Sequence, residues 1–175
     1  EKKSAYEAVY RPSGQDLTFS LLGALGLIAG CVLSFRGSIA QMLVSLLGLL
    51  AGLSLGAGAV LRWKKKKPSA AFSVFVVLFY VAKLFRDFRH WEINPAILDY
   101  CFSLFAMIAF MLASYHAGAF SFERGARRRL AFYSLLGVLF GAISLAGAQL
   151  PELLIYAGSV FWMLACAQQM LRRSV

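Results

Sequence analysis

Charge is scarce in this chain. Only 15% of its 175 residues are Asp, Glu, Lys or Arg, and just eight of those are acids. With 60% hydrophobic residues and a mean hydropathy of +0.70, the composition lies outside the balance of a soluble globular domain. Two histidines and three cysteines fall in no HExxH or Cys/His cluster of metal-ligand spacing, and no Walker loop is present. No bound metal or other cofactor is therefore expected. No segment alternates polar and apolar residues in the manner of a barrel strand, and no stretch is left over for a soluble domain of useful size.

What the chain does have is apolar runs of spanning length. A bilayer core of about 30 Å needs roughly 20 residues of apolar helix. Six segments approach or reach that: 17–34, 39–61, 70–85, 97–120, 130–146 and 153–171. The third is short and contains Lys83, and it reaches full length if 86–90 continue the helix toward the headgroups. Lipid offers the backbone no hydrogen-bond partners, so these runs must be helices. The expected fold is an all-α, polytopic membrane bundle of about six helices. Residues 1–175 then form one transmembrane domain, with short tails at 1–16 and 172–175.

Lys and Arg are distributed very unevenly about those spans. With the N-terminus placed inside, fourteen of the eighteen basic residues fall on the inner side, while the acids divide four and four. The positive-inside rule then puts both termini in the cytoplasm. The runs "RWKKKKPS" and "ERGARRR" lie between two spans each, where basic side chains set orientation and meet anionic headgroups. Lipid is thus the expected partner of these loops, and nucleic acid is not. The compact form and the charge asymmetry point to a bacterial plasma membrane. "LIAGC", 27–31, resembles a lipoprotein processing box, but the segment before it is long and carries Glu1, Glu7 and Asp16 instead of a short basic start.

Glycines recur four apart: Gly26 and Gly30, then Gly48, Gly52 and Gly56, then Gly137 and Gly141. Such faces let helix backbones approach closely in lipid, either inside the bundle or against a separate membrane protein. The fragment Ser-Leu-Leu-Gly occurs at Ser20, Ser45 and Ser134, and is read as biased composition because the flanks do not align. The three cysteines are expected to be free, although Cys31 and Cys101 lie near the same ends of their spans.

Candidate chemistry is sparse. "GLSLG", 52–56, has the spacing of a serine-hydrolase motif, yet Ser54 lies inside an apolar span and not on a strand-to-helix turn. His116 lies at a similar depth, which leaves an intramembrane Ser/His pair as one reading. "INPAI", 93–97, contains the Asn-Pro-Ala triplet that resembles the aquaporin box, in one copy where that family has two. Helix initiation explains it locally, with Asn94 as the cap, Pro95 at the first helical position and Ile93 stapled on Leu98.

The stretch "KLFRDFRHWEINPAILDY", 83–100, concentrates charge in an apolar chain. Charges at membrane depth are costly and often mark a solute or ion path. Lys83 and Asp99 are the leading candidates for ligand binding, with Arg86, Asp87, His90 and Glu92 as a rim. The competing reading is interfacial anchoring, with Phe88 and Trp91 at headgroup level and Lys83 snorkelling outward.

The expected function is a non-catalytic transport component that binds a small solute in an outward-facing polar pocket. In architecture, though in no motif, this resembles the substrate-capture subunits of energy-coupling-factor importers. The alternatives are a structural or regulatory membrane scaffold without substrate, and an intramembrane serine hydrolase using Ser54 and His116.

Overall fold

A computed structural model of the chain describes residues 14–35, 38–64, 66, 68–91, 97–122 and 124–171. Six helices follow one another: α1 Gly14–Leu33, α2 Ile39–Trp63, α3 Ala70–Trp91, α4 Ile97–Ala119, α5 Arg127–Leu145 and α6 Leu150–Leu171. A short 3-10 turn, Phe120–Phe122, closes α4, and no strand occurs among the described residues. The shortest helix has 19 residues, a length of about 28 Å at 1.5 Å per residue.

Local chemistry sets the described ends. The Ser38 hydroxyl accepts a hydrogen bond from the Gln41 N–H and caps α2. Pro151 occupies the first turn of α6, where the lack of an N–H does no harm. α3 runs on through Trp91, the continuation past residue 85 that gives this span its full length, so "KLFRDFRHW" is helix. Asn94 and Pro95 lie outside the described residues.

Each helix packs on its chain neighbours, and α1 closes the ring through its extensive contact with α6. Short connections make neighbours antiparallel, so the bundle has two distinct ends. At one lie Arg62, Lys64, Lys66, Arg124 and Arg127–Arg129. Ser121 donating to the Pro68 carbonyl and Arg127 donating to that of Met170 tie this end together. At the other lie Lys83, Arg86, Asp87 and Glu152.

The distribution of polarity is that of a membrane protein. Leu25, Leu43, Leu53, Leu78, Phe105 and Leu139 face outward, while Ser20, Ser45, Ser114, Ser134 and Ser159 are buried. A soluble protein with that much apolar surface would aggregate. Five of the helices are long and apolar enough to cross a membrane. The remaining one, α3, is as long as the others and packs between α2 and α4; Lys83, Arg86, Asp87 and Arg89 take it out of that set.

The glycine faces are used inside the bundle. A Cβ on Gly26 would stand 2.8 Å from the Gly158 Cα, and one on Gly158 would stand 2.7 Å from both the Gly23 carbonyl oxygen and the Leu27 nitrogen. Gly48 receives the Phe79 ring, and Gly141 lies against Phe110 and Val160. Ser-Leu-Leu-Gly also proves to be more than biased composition. Ser20, Ser45 and Ser134 are buried, and Gly23, Gly48 and Gly137 one turn on make close contacts. The fragment places two small residues three apart on a packed face, which is what close helix approach in lipid requires.

Replacing Gly158 with Ala sets a methyl against α1 backbone and is expected to cost about 1–3 kcal/mol. Gly147→Ala, with open space around the new carbon, should stay within about 0.5 kcal/mol of wild type. Unfolding in detergent micelles measures both.

Candidate functional site

The interior polar groups form a column between α3 and α6. Ser73, Val76, Tyr80, Lys83 and Asp87 recur at three and four residues and share one face of α3. Glu152, Tyr156, Ser159 and Trp162 do the same on α6. The two faces meet. Tyr80 donates from its hydroxyl to the Ser159 Oγ at 2.8 Å, and Ser159 donates onward to the Ile155 carbonyl. Ser73 and Trp162 line a common small cavity at the basic end, with Ser54, Arg62 and Ser121. From Ser73 to Asp87 the column rises about 21 Å along α3.

At the far end the column becomes ionic. The Lys83 ammonium donates to Asp87 Oδ2 at 2.6 Å, and the Arg86 Nε–H donates to Asp87 Oδ1 at 2.7 Å. From α6, Glu152 brings a carboxylate oxygen to 4.0 Å from Lys83 and 3.8 Å from Arg86. The Lys83 ammonium also stands 5.7 Å from the centre of the Tyr156 ring, within range of a cation–π attraction. Two cations and two carboxylates leave the cluster formally neutral, which makes its burial tolerable. A lone charge in the same place would carry a desolvation cost of several kcal/mol.

Exposure is graded along the cluster. The side chains of Lys83 and Asp87 are only 2% and 6% exposed, whereas those of Arg86 and Glu152 are 25% and 45% exposed. The inner pair is sealed, and the outer pair of opposite charges opens to the surface. This departs from the expectation that Lys83 snorkels and that Asp87 belongs to the rim. Lys83 finds its counter-ion one turn along its own helix and has no reason to reach for the headgroups.

Of the expected site residues, the structure brings Lys83, Arg86 and Asp87 together. His90 and Asp99 belong to α3 and α4, and their side chains lie outside the described set. Glu92 lies wholly outside the described residues. The residues not anticipated are Glu152, Tyr156, Tyr80 and Ser159. Glu152 had a legible signal, since it stands in the first turn of the last helix, at the same end as Lys83. Only the closure of the ring sets α6 opposite α3.

The other candidate chemistries separate. Ser54 lines the small cavity at the basic end. His116 stacks face to face on Tyr133 at 5.2 Å and lines a different groove, so the two do not form a catalytic pair in this structure. No disulfide joins Cys31, Cys101 and Cys166. Among the described residues no three His, Cys, Asp or Glu side chains gather as metal ligands. The chain matches no protein-family model, no curated protein and no solved structure.

The two members of the buried pair differ in what their loss leaves behind. Asp87→Asn deprives Lys83 of its nearest acid, leaving only the longer contact to Glu152, and should cost about 3–5 kcal/mol. Lys83→Met leaves Asp87 still paired with Arg86 and should cost less. In a double-mutant cycle the combined variant should be more stable than the two single losses added together; strict additivity in detergent unfolding would refute the coupling.

Proposed function

We propose that the chain is a non-catalytic membrane transport component that binds a small solute at the Lys83 end of the α3–α6 column. A single observation carries the reading: the sealed Lys83–Asp87 pair continues into Arg86 and Glu152, opposite charges 3.8 Å apart that reach the surface. A solute bearing both an ammonium and a carboxylate is the natural occupant. Its carboxylate replaces Glu152 beside Arg86, and its ammonium takes up Glu152, so no charge is stranded during binding. Amino-acid-like zwitterions are the class this chemistry selects. Behind the cluster, Tyr80 and Ser159 carry polarity toward the middle of the bundle.

In this reading the basic end faces the cytoplasm, as the positive-inside rule requires, and Arg86 and Glu152 open outward. The membrane is the bacterial plasma membrane. The contrast between an inner rim rich in Lys and Arg and an outer, electrically balanced rim supports that orientation. A scaffold that docks a partner through its glycine faces is less well supported, because those faces are already occupied within the bundle.

The purified chain, unfolded thermally in detergent with each of the proteinogenic amino acids in turn, tests the proposal. At least one should stabilise the wild type, by about 2.7 kcal/mol at a hundred times its Kd, and should fail to stabilise Arg86→Gln and Glu152→Gln. Stabilisation that survives both substitutions would remove the site, and a panel without a single stabiliser would remove the ligand class.

A further inference from the structure

A second feature lies at the opposite end of the molecule. Between α3, α4 and the α4–α5 connection runs a groove of about 750 Å³, within the range of sites that hold a whole small-molecule ligand. Its walls are apolar and in part lipid-facing: Val74 and Leu78 on α3, Tyr115 on α4, and Phe122. Along α3 the wall rises about 12 Å from Ala70 to Leu78, reaching from the helix end into the apolar zone. Its mouth carries Arg124 and Arg129, with His116 just below them.

The mouth is built, and its charged side chains among the described residues are of one sign. The Arg124 N–H donates to the Ala119 carbonyl at 3.1 Å, which fixes the chain over the end of α4. Gly125 lies directly on the ring of buried Phe120, where a Cβ has no room. Among the described residues, no acid pairs with Arg124 or Arg129. The first turn of α5 contains no acid, and its cap position, Ala126, offers no side-chain acceptor. Three arginines thus begin a helix whose own dipole already makes that end positive. Positive potential at headgroup depth, above an apolar trough open to the bilayer, is complementary to one kind of molecule.

We infer that this groove is a binding site for an anionic phospholipid, with the phosphate at Arg124 and Arg129 and an acyl chain along Val74 and Leu78. The inference rests on the membrane-spanning reading and is independent of the solute site. A free phosphate would use the arginines and ignore the trough; the trough is what selects a lipid. Basic pockets between helices on the inner side of a membrane favour such headgroups for the same reason.

Native mass spectrometry of the full chain, released from micelles containing equal phosphatidylcholine and phosphatidylglycerol, gives the test. Wild type should retain phosphatidylglycerol over phosphatidylcholine by roughly thirtyfold, the order that two basic side chains supply at a membrane surface. Arg124→Gln with Arg129→Gln should abolish the preference, and Lys64→Gln with Lys66→Gln, at the same end but away from the groove, should preserve it. Val74→Trp, which fills the trough from an exposed position, should lower phosphatidylglycerol retention with both arginines intact, and added inorganic phosphate should not displace the lipid. Equal retention of the two lipids by wild type overturns the site. So does a preference that persists in the double Arg variant, one that is lost equally in the Lys variant, phosphatidylglycerol retention unaffected by Val74→Trp, or displacement by phosphate. None of these outcomes bears on Arg86 and Glu152, which are tested with amino acids.

Discussion

Inside this bundle an ammonium and a carboxylate are sealed together, Lys83 on Asp87 at 2.6 Å, and the surrounding helices are arranged around that fact. A pair four residues apart forms as soon as α3 winds into a helix. It survives burial only if each partner has further company. Arg86 supplies that for Asp87 from the same helix, and the Tyr156 ring and Glu152 supply it for Lys83 from α6. The position of α6 opposite α3 is consequently an electrostatic requirement as well as a packing one.

Close approach elsewhere makes that position possible. Water exclusion does not drive helices together in lipid, so the contacts must come from backbones meeting over small residues. The α1–α6 seam at Gly23, Gly26 and Gly158 is the tightest example, and it turns a row of hairpins into a closed ring. With α6 drawn in against α1, its other face reaches across to α3, where Ser159 takes the Tyr80 hydroxyl. Large side chains then fill the remaining interior: Phe79 sits over Gly48, and Phe110 over Gly137 and Gly141.

The two ends of the ring are chemically unlike. One gathers Lys83, Arg86, Asp87 and Glu152 into a formally neutral cluster whose outer members are exposed. The other collects lysines and arginines and leaves Arg124 and Arg129 beside an apolar trough without described counter-ions. A membrane protein with one neutral and one positive end experiences the bilayer asymmetrically, since anionic lipid and the transmembrane potential both act on charge. The proposed zwitterion site at the first end and the inferred lipid site at the second would divide the polar chemistry of the chain between solute and membrane.

Much of this was readable from residue order alone. Apolar runs of spanning length, the polar loops between them and the bias of Lys and Arg are local properties, and lipid allows such runs only one backbone form. Lys83 with Asp87 was legible too, because four residues is one turn of helix. The Ser-Leu-Leu-Gly fragments were visible but uninterpretable, since nothing in a sequence says which side of a helix will meet a neighbour. Glu152 lies 69 positions from Lys83 in the chain, and only the closing of α6 on α1 carries it there. The sequence by itself determined the helices and the one-turn spacing that brings Lys83 to Asp87, both consequences of short-range geometry and solvent. The tertiary structure alone decided which charges share a cluster, which glycines are spent on packing and where a groove opens, because those depend on contacts between helices that the chain order leaves free.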